Sequence, residues 1–75
     1  NDVFKPKVFG TPDNYEFTIY NRWGQVVFYT KDTRKGWDGS LKGKKQKSDV
    51  FVWNCRYKFS GEKSIFKKGS VLLID

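Results

Sequence analysis

VFVWNCRYKF, residues 50–59, decides the fold. Phe51, Trp53, Cys55, Tyr57 and Phe59 alternate with Val50, Val52, Asn54, Arg56 and Lys58 without a break. A period of two is what a β-strand imposes, because successive side chains point to opposite faces. The first set has to face a core. The second begins apolar and ends in cations, the pattern of an antiparallel sheet with one side in water.

The same rhythm recurs on either side of this strand. Tyr15, Phe17 and Ile19 share one face, with Glu16, Thr18 and Tyr20 on the other, and residues 25–30 read as the return strand. Residues 3–5 leave room for an edge strand that Pro6 would end, since proline cannot donate to a ladder. Residues 10–14, GTPDN, are loop chemistry, residues 30–36 a polar connection and residues 42–49 a basic loop. Ser60-Gly61-Glu62-Lys63 predicts a hairpin turn, and Lys67-Lys68-Gly69 a bulge before the final run SVLLI. No segment carries a helical period. The expected fold is all-β, a small immunoglobulin-like antiparallel β-sandwich of about six or seven short strands.

Size and composition narrow the function. Seventy-five residues allow one domain, expected to span 1–75. So short a chain buries only about 60% of the surface it exposes when unfolded. Seven Phe, four Tyr and three Trp suit that limit, because each ring brings about 150–250 Å² of buried area. With one Cys and no His, neither an internal disulfide nor a Cys/His zinc site can form, and Cys55 reads as a small buried hydrophobe. Asp13, Asp32, Asp38 and Asp49 are scattered and form no calcium loop, so neither a metal nor another cofactor is expected. Nothing pairs a nucleophile with a base, so catalysis and a small-molecule substrate are not expected. No apolar run reaches the ~20 residues of a membrane span. The opening NDVFKPKVFG does not read as a signal peptide, and a chain without an initiator Met is expected to be a piece of something longer.

Two motifs stand apart. Asn21-Arg22-Trp23-Gly24 places Asn where a type I turn starts and Gly where a left-handed residue is needed, predicting a hairpin with a glycine bulge. Trp23 then occupies a turn. Two orientations stay open: the ring folds back to cap the core, or it stands out beside Arg22 as an anchor of the kind enriched in binding hot spots. Trp37-Asp38-Gly39 reads as a buried Trp followed by an Asp that bonds the backbone of its own turn. Fifteen Lys and Arg stand against eight Asp and Glu, a net charge of +7, and Lys42, Lys44, Lys45 and Lys47 crowd one loop. A solvated loop, an acidic protein surface, lipid headgroups and nucleic acid all suit such a run.

These segments, in this order and spacing, resemble a known family. IYNRWGQVVF at 19–28, GWDG at 36–39, VFVW at 50–53 and GSVLLI at 69–74, together with NDVFKP at 1–6, are similar to the gliding-motility-associated C-terminal domain of Bacteroidota. That is the type B sorting domain of the type IX secretion system, and the likeness covers essentially the whole chain. Ser48-Asp49 stands where family members usually have a small glycine turn, and the preceding loop is unusually basic.

The resemblance implies a non-catalytic export signal that directs a larger secreted or cell-surface passenger across the outer membrane. The passenger would be linked covalently on the N-terminal side, Asp75 would lie at or near the natural C-terminus, and components of the type IX machinery in the outer membrane would be the partners. Arg22, Trp23, Lys42, Lys44, Lys45 and Lys47 are then the candidate contacts, with Asn21, Gly24, Trp37, Asp38 and Gly39 as the structural motif. The alternative is a basic aromatic-rich β-domain that binds single-stranded nucleic acid or another polyanion. A carbohydrate-binding sandwich is a third possibility, which the charge balance does not favour.

Overall fold

A computed structural model describes residues 3–74; Asn1, Asp2 and Asp75, which carry the first letters of the N-terminal motif and the expected C-terminus, lie outside them. Six strands follow one another: β1 (Asn14–Tyr20), β2 (Val26–Thr30), β3 (Ser40–Leu41), β4 (Lys44–Lys45), β5 (Asp49–Lys58) and β6 (Ile65–Leu73). Four of them make one antiparallel sheet in the order β2-β1-β5-β6, and β3-β4 form a separate two-stranded hairpin. The chain is all-β, a small β-sandwich with unequal layers.

Register follows from the apolar alternation. Tyr15, Phe17 and Ile19 on β1 face Tyr57, Cys55 and Trp53 on β5, so two apolar faces fuse into one. Together with Val27, Trp37 and Phe51, these residues other than the half-buried Trp53 make up the buried core. Ring contacts tie it together: Phe17 lies 5.9 Å from both Phe4 and Phe28 and 6.2 Å from Trp53, all tilted or edge-on. Such edge-to-face pairs add about 0.5–1.5 kcal/mol each beyond the area they bury.

The second layer is thin. It consists of the β3-β4 hairpin, through Leu41, and of irregular chain that brings Phe4 and Val8 against the sheet. The edge strand expected at residues 3–5 is only an isolated bridge. Phe4 N–H donates to the Trp37 carbonyl at 2.8 Å, and Trp37 N–H donates back at 2.9 Å. Gly36 makes that approach possible, since a Cβ there would stand 2.8 Å from Val3 Cγ2 and 2.9 Å from the Phe4 carbonyl oxygen.

Two further expectations need correction. Residues 67–69 form no bulge: β6 pairs with β5 in unbroken register from Asp49 with Leu73 to Tyr57 with Ile65. Gly69 lies opposite Trp53, where a Cβ would stand 3.0 Å from the indole, so its role is to leave room for the ring. The irregularity falls instead between β1 and β2, where Ile19 pairs with Phe28 and Tyr20 with Val26. Val27 is the extra residue and is buried, so β2 sends two successive side chains toward the core. The segment at 42–49 is also not simply a loop, because it contains β4 and the start of β5.

Candidate functional site

The hairpin joining β1 and β2 is built on Asn21. Its Oδ1 accepts from the backbone N–H of Trp23 at 3.0 Å and of Gln25 at 2.9 Å, and its Nδ2 donates to Gln25 Oε1 at 2.7 Å. Gly24 N–H donates to the Asn21 carbonyl at 3.0 Å, and Asn21 N–H to the Gln25 carbonyl at 2.9 Å, closing a three-residue loop. Gly24 has φ +82°, the left-handed conformation that completes this hairpin. Arg22 and Trp23 are thereby held at the tip.

Trp23 points outward, with 75% of its surface exposed. The Arg22 guanidinium carbon lies 5.5 Å from the centre of its ring, a cation–π contact. Arg22 Nη1 also reaches Asp49 Oδ2 at 3.5 Å, which joins the hairpin tip to the first residue of β5.

The basic segment approaches the same place from the other side. Leu41 pairs with Lys44 across a two-residue turn whose residues, Lys42 and Gly43, have φ +53° and +80°. Positive φ at both centres is the geometry of a type I′ hairpin turn, which glycine adopts freely and lysine only with strain. The Gln46 N–H donates to the Gly39 carbonyl at 2.8 Å and fixes the hairpin's root.

Between the two hairpins runs an open groove of about 530 Å³. Arg22, Trp23, Lys44, Lys45 and Lys47 line it, with Asp49 and Phe51 completing the wall. Five of the six candidate contacts thus share one concavity although they lie more than twenty positions apart in sequence. Lys42 is not among the lining residues; it sits at the hairpin turn. Asp49 was not anticipated at the site. The signal was available, since it is the only acid between Asp38 and Glu62 and so the only one beside the lysine run.

The second motif lies inside the molecule. Trp37 is 3% exposed, its ring is 4.9 Å from that of Phe51, and its Nε1–H donates to the Ser40 carbonyl at 2.8 Å. Asp38 Oδ1 accepts from Ser40 N–H at 3.0 Å and Ser40 Oγ–H at 2.6 Å; those bonds, the side-chain one foremost, hold its carboxyl below the usual carboxylate range. Gly39, at φ +90°, allows the turn, and a Cβ there would meet Leu73 Cδ1 at 3.1 Å. This motif gathers the N-terminal segment, the β3-β4 hairpin and the end of β6 around residues 37–39.

The remaining polar groups have local explanations. Asp32 accepts from Arg34 N–H, Nε–H and Nη2–H, which holds its carboxyl at about 2. Burial pushes the Cys55 thiol up, away from the reactive thiolate. The Tyr15 hydroxyl faces Cys55 without reaching a hydrogen bond, and burial raises its pKa strongly. Among the described residues no cluster of three His, Cys, Asp or Glu is placed to hold a metal ion, and no helix is long and apolar enough to cross a membrane.

The domain is all-β, with a closed aromatic core and Trp23 exposed among cations. The chain belongs to the type IX secretion signal domain family (CHU_C), which it matches over residues 1–73. No curated protein and no solved structure matches it. The resemblance drawn from the NRWG and WDG segments is borne out, and with it the role of export signal for a protein secreted or displayed at the cell surface.

Proposed function

We propose that the type IX machinery in the outer membrane reads this chain as one folded, non-catalytic module, through the groove between the Asn21-Arg22-Trp23-Gly24 turn and the basic hairpin. The passenger is carried covalently on the N-terminal side. The observation that supports this reading is convergence: Arg22 and Trp23 from the β1-β2 hairpin, Lys44 and Lys45 from the β3-β4 hairpin and Lys47 from the link to β5 line a single concavity. Exposed Trp and Arg side by side are typical of binding hot spots, where a few residues carry most of the energy. Lys42 would then contribute charge from outside the groove.

The test is a reporter fused to this domain in a type IX-competent bacterium. Secretion should require the domain and should fall when Arg22→Ala and Trp23→Ala are combined in a domain that still folds. Export undiminished by the double substitution would remove the groove as the recognition site. Export undiminished by deleting the domain would remove the whole reading.

A further inference from the structure

We infer that the groove takes an extended acidic peptide segment of a protein partner, its carboxylates set against Lys44, Lys45 and Lys47 and a large apolar side chain set against Trp23. This rests on the recognition role proposed for the same groove and names the chemistry of what it recognises.

Charge is the first argument. Among the described residues, four cations and a single carboxylate line the groove. Asp13, Glu16, Asp32 and Glu62 lie toward the other end of the sheet, near residues 56–65 of β5, its following turn and the start of β6, or at the far end of β2. A concave site of one sign concentrates a partner of the opposite sign and orients it on approach.

Shape is the second. Trp23 stands at a hairpin tip, but not alone there. It lines a concavity, and Arg22 lies against its ring while reaching to Asp49. Among the described residues lining the groove Trp23 is the one exposed ring, already in contact with a cation, and so a poor platform for single-stranded nucleic acid, which stacks successive bases on several rings. A groove of about 530 Å³ falls in the range that accepts a few side chains, and Trp23 gives it an apolar wall.

Asp49 supplies the discriminating feature. Among the described residues its carboxylate is the only negative charge lining the groove, and it is spent on Arg22 at 3.5 Å. An incoming carboxylate is repelled by Asp49 and competes with it for Arg22. Removing that charge should therefore strengthen binding of an acidic ligand, an effect opposite to that of removing an ordinary contact residue.

The experiment uses the purified 75-residue chain and a fluorescein-labelled peptide of about ten residues alternating glutamate with phenylalanine, at low salt where surface electrostatics are strongest. Controls are the same peptide with glutamine for every glutamate, and vesicles of phosphatidylglycerol. The glutamate peptide should bind, and the glutamine peptide should bind at least about tenfold more weakly. Trp23→Ala and the combined Lys44→Gln/Lys45→Gln/Lys47→Gln should each weaken it about tenfold. Asp49→Asn, which keeps a side-chain oxygen to accept from Val50 N–H as Asp49 Oδ1 does at 2.7 Å, should tighten it several-fold. Equal affinity for both peptides, weaker binding by a folded Asp49→Asn variant, or vesicle binding in place of peptide binding would each overturn the inference. Peptide indifference with secretion still dependent on Arg22 and Trp23 overturns the acidic-segment chemistry and leaves the recognition site standing. Peptide binding with secretion indifferent to both residues does the reverse.

Discussion

Trp23 and Trp37 occupy two turns built on the same device and meet opposite fates. In each, an Asx side chain accepts the backbone N–H two residues further on: Asn21 from Trp23, and Asp38 from Ser40. At the first turn the indole is one of the residues being turned, and it is pushed out beyond the sheet. At the second the indole precedes the Asx residue, so the turn closes behind it and its N–H is satisfied by the Ser40 carbonyl. Position relative to the Asx residue, rather than hydrophobicity, separates the buried tryptophan from the exposed one. A small domain can thereby use one residue type both as its main anchor and as its most prominent surface feature.

The largest way to break this comparison is Trp37→Ala. Deleting a fully buried Trp costs about 3–5 kcal/mol, comparable with the entire stability of a domain this small. The variant should be largely unfolded at 25 °C, as read by loss of chemical-shift dispersion in an NMR spectrum. Asn21→Ala comes next. It removes three side-chain hydrogen bonds from the exposed turn, and should lower stability by about 1 kcal/mol in urea unfolding. Trp23→Ala should change stability by less than about 0.5 kcal/mol by the same measurement. A cost approaching that of Trp37→Ala would mean that the exposed ring packs after all. Lys42→Asn is expected to stabilise slightly, by about 0.5 kcal/mol, because asparagine tolerates the left-handed conformation that Lys42 is forced into.

Acid sharpens the contrast without a large energy. Asp38 can titrate and Asn21 cannot. Because hydrogen bonds from Ser40 depress the folded pKa of Asp38, its contribution is complete above the ordinary value of 3.8 and is lost as pH falls through the lower folded value. The amide resonances of the Trp37 turn should shift over that range. Asp38→Asn should abolish that shift. Asp32, held at about 2, adds a separate contribution lost between 3.8 and about 2, which Asp32→Asn should remove.

The strand faces were readable because alternation is a local signal: Phe51, Cys55 and Tyr57 needed no knowledge of the rest of the chain to be placed inward. Gly69 was misread because its reason is not local. It yields space to Trp53 on the neighbouring strand, sixteen positions earlier, and only the register reveals this. The bulge at Val27 was hidden for a similar cause, since one more valine in an apolar run does not say which partner it lacks. The direction of Trp23 was beyond local reading too, because the turn permits either orientation. Nor could the groove be drawn, since it exists only where the β3-β4 hairpin folds back beside the β1-β2 tip. Residues 42–49 read as a loop because lysines and glycines mark turns well, and a strand of two residues leaves almost no pattern.

The strand order has a consequence for how the chain assembles. β1-β2 and β5-β6 are each local hairpins, and the central pairing of β1 with β5 is the one seam that makes them a sheet. Its partners, from Tyr20 with Val52 to Asn14 with Lys58, lie roughly thirty to forty-five positions apart. The hairpins can therefore form early and independently, whereas the seam must first meet the entropy of closing a long loop. Docking of the two halves is the step expected to set the folding rate, and the groove that joins the tip of one half to the start of the other would come into being only then.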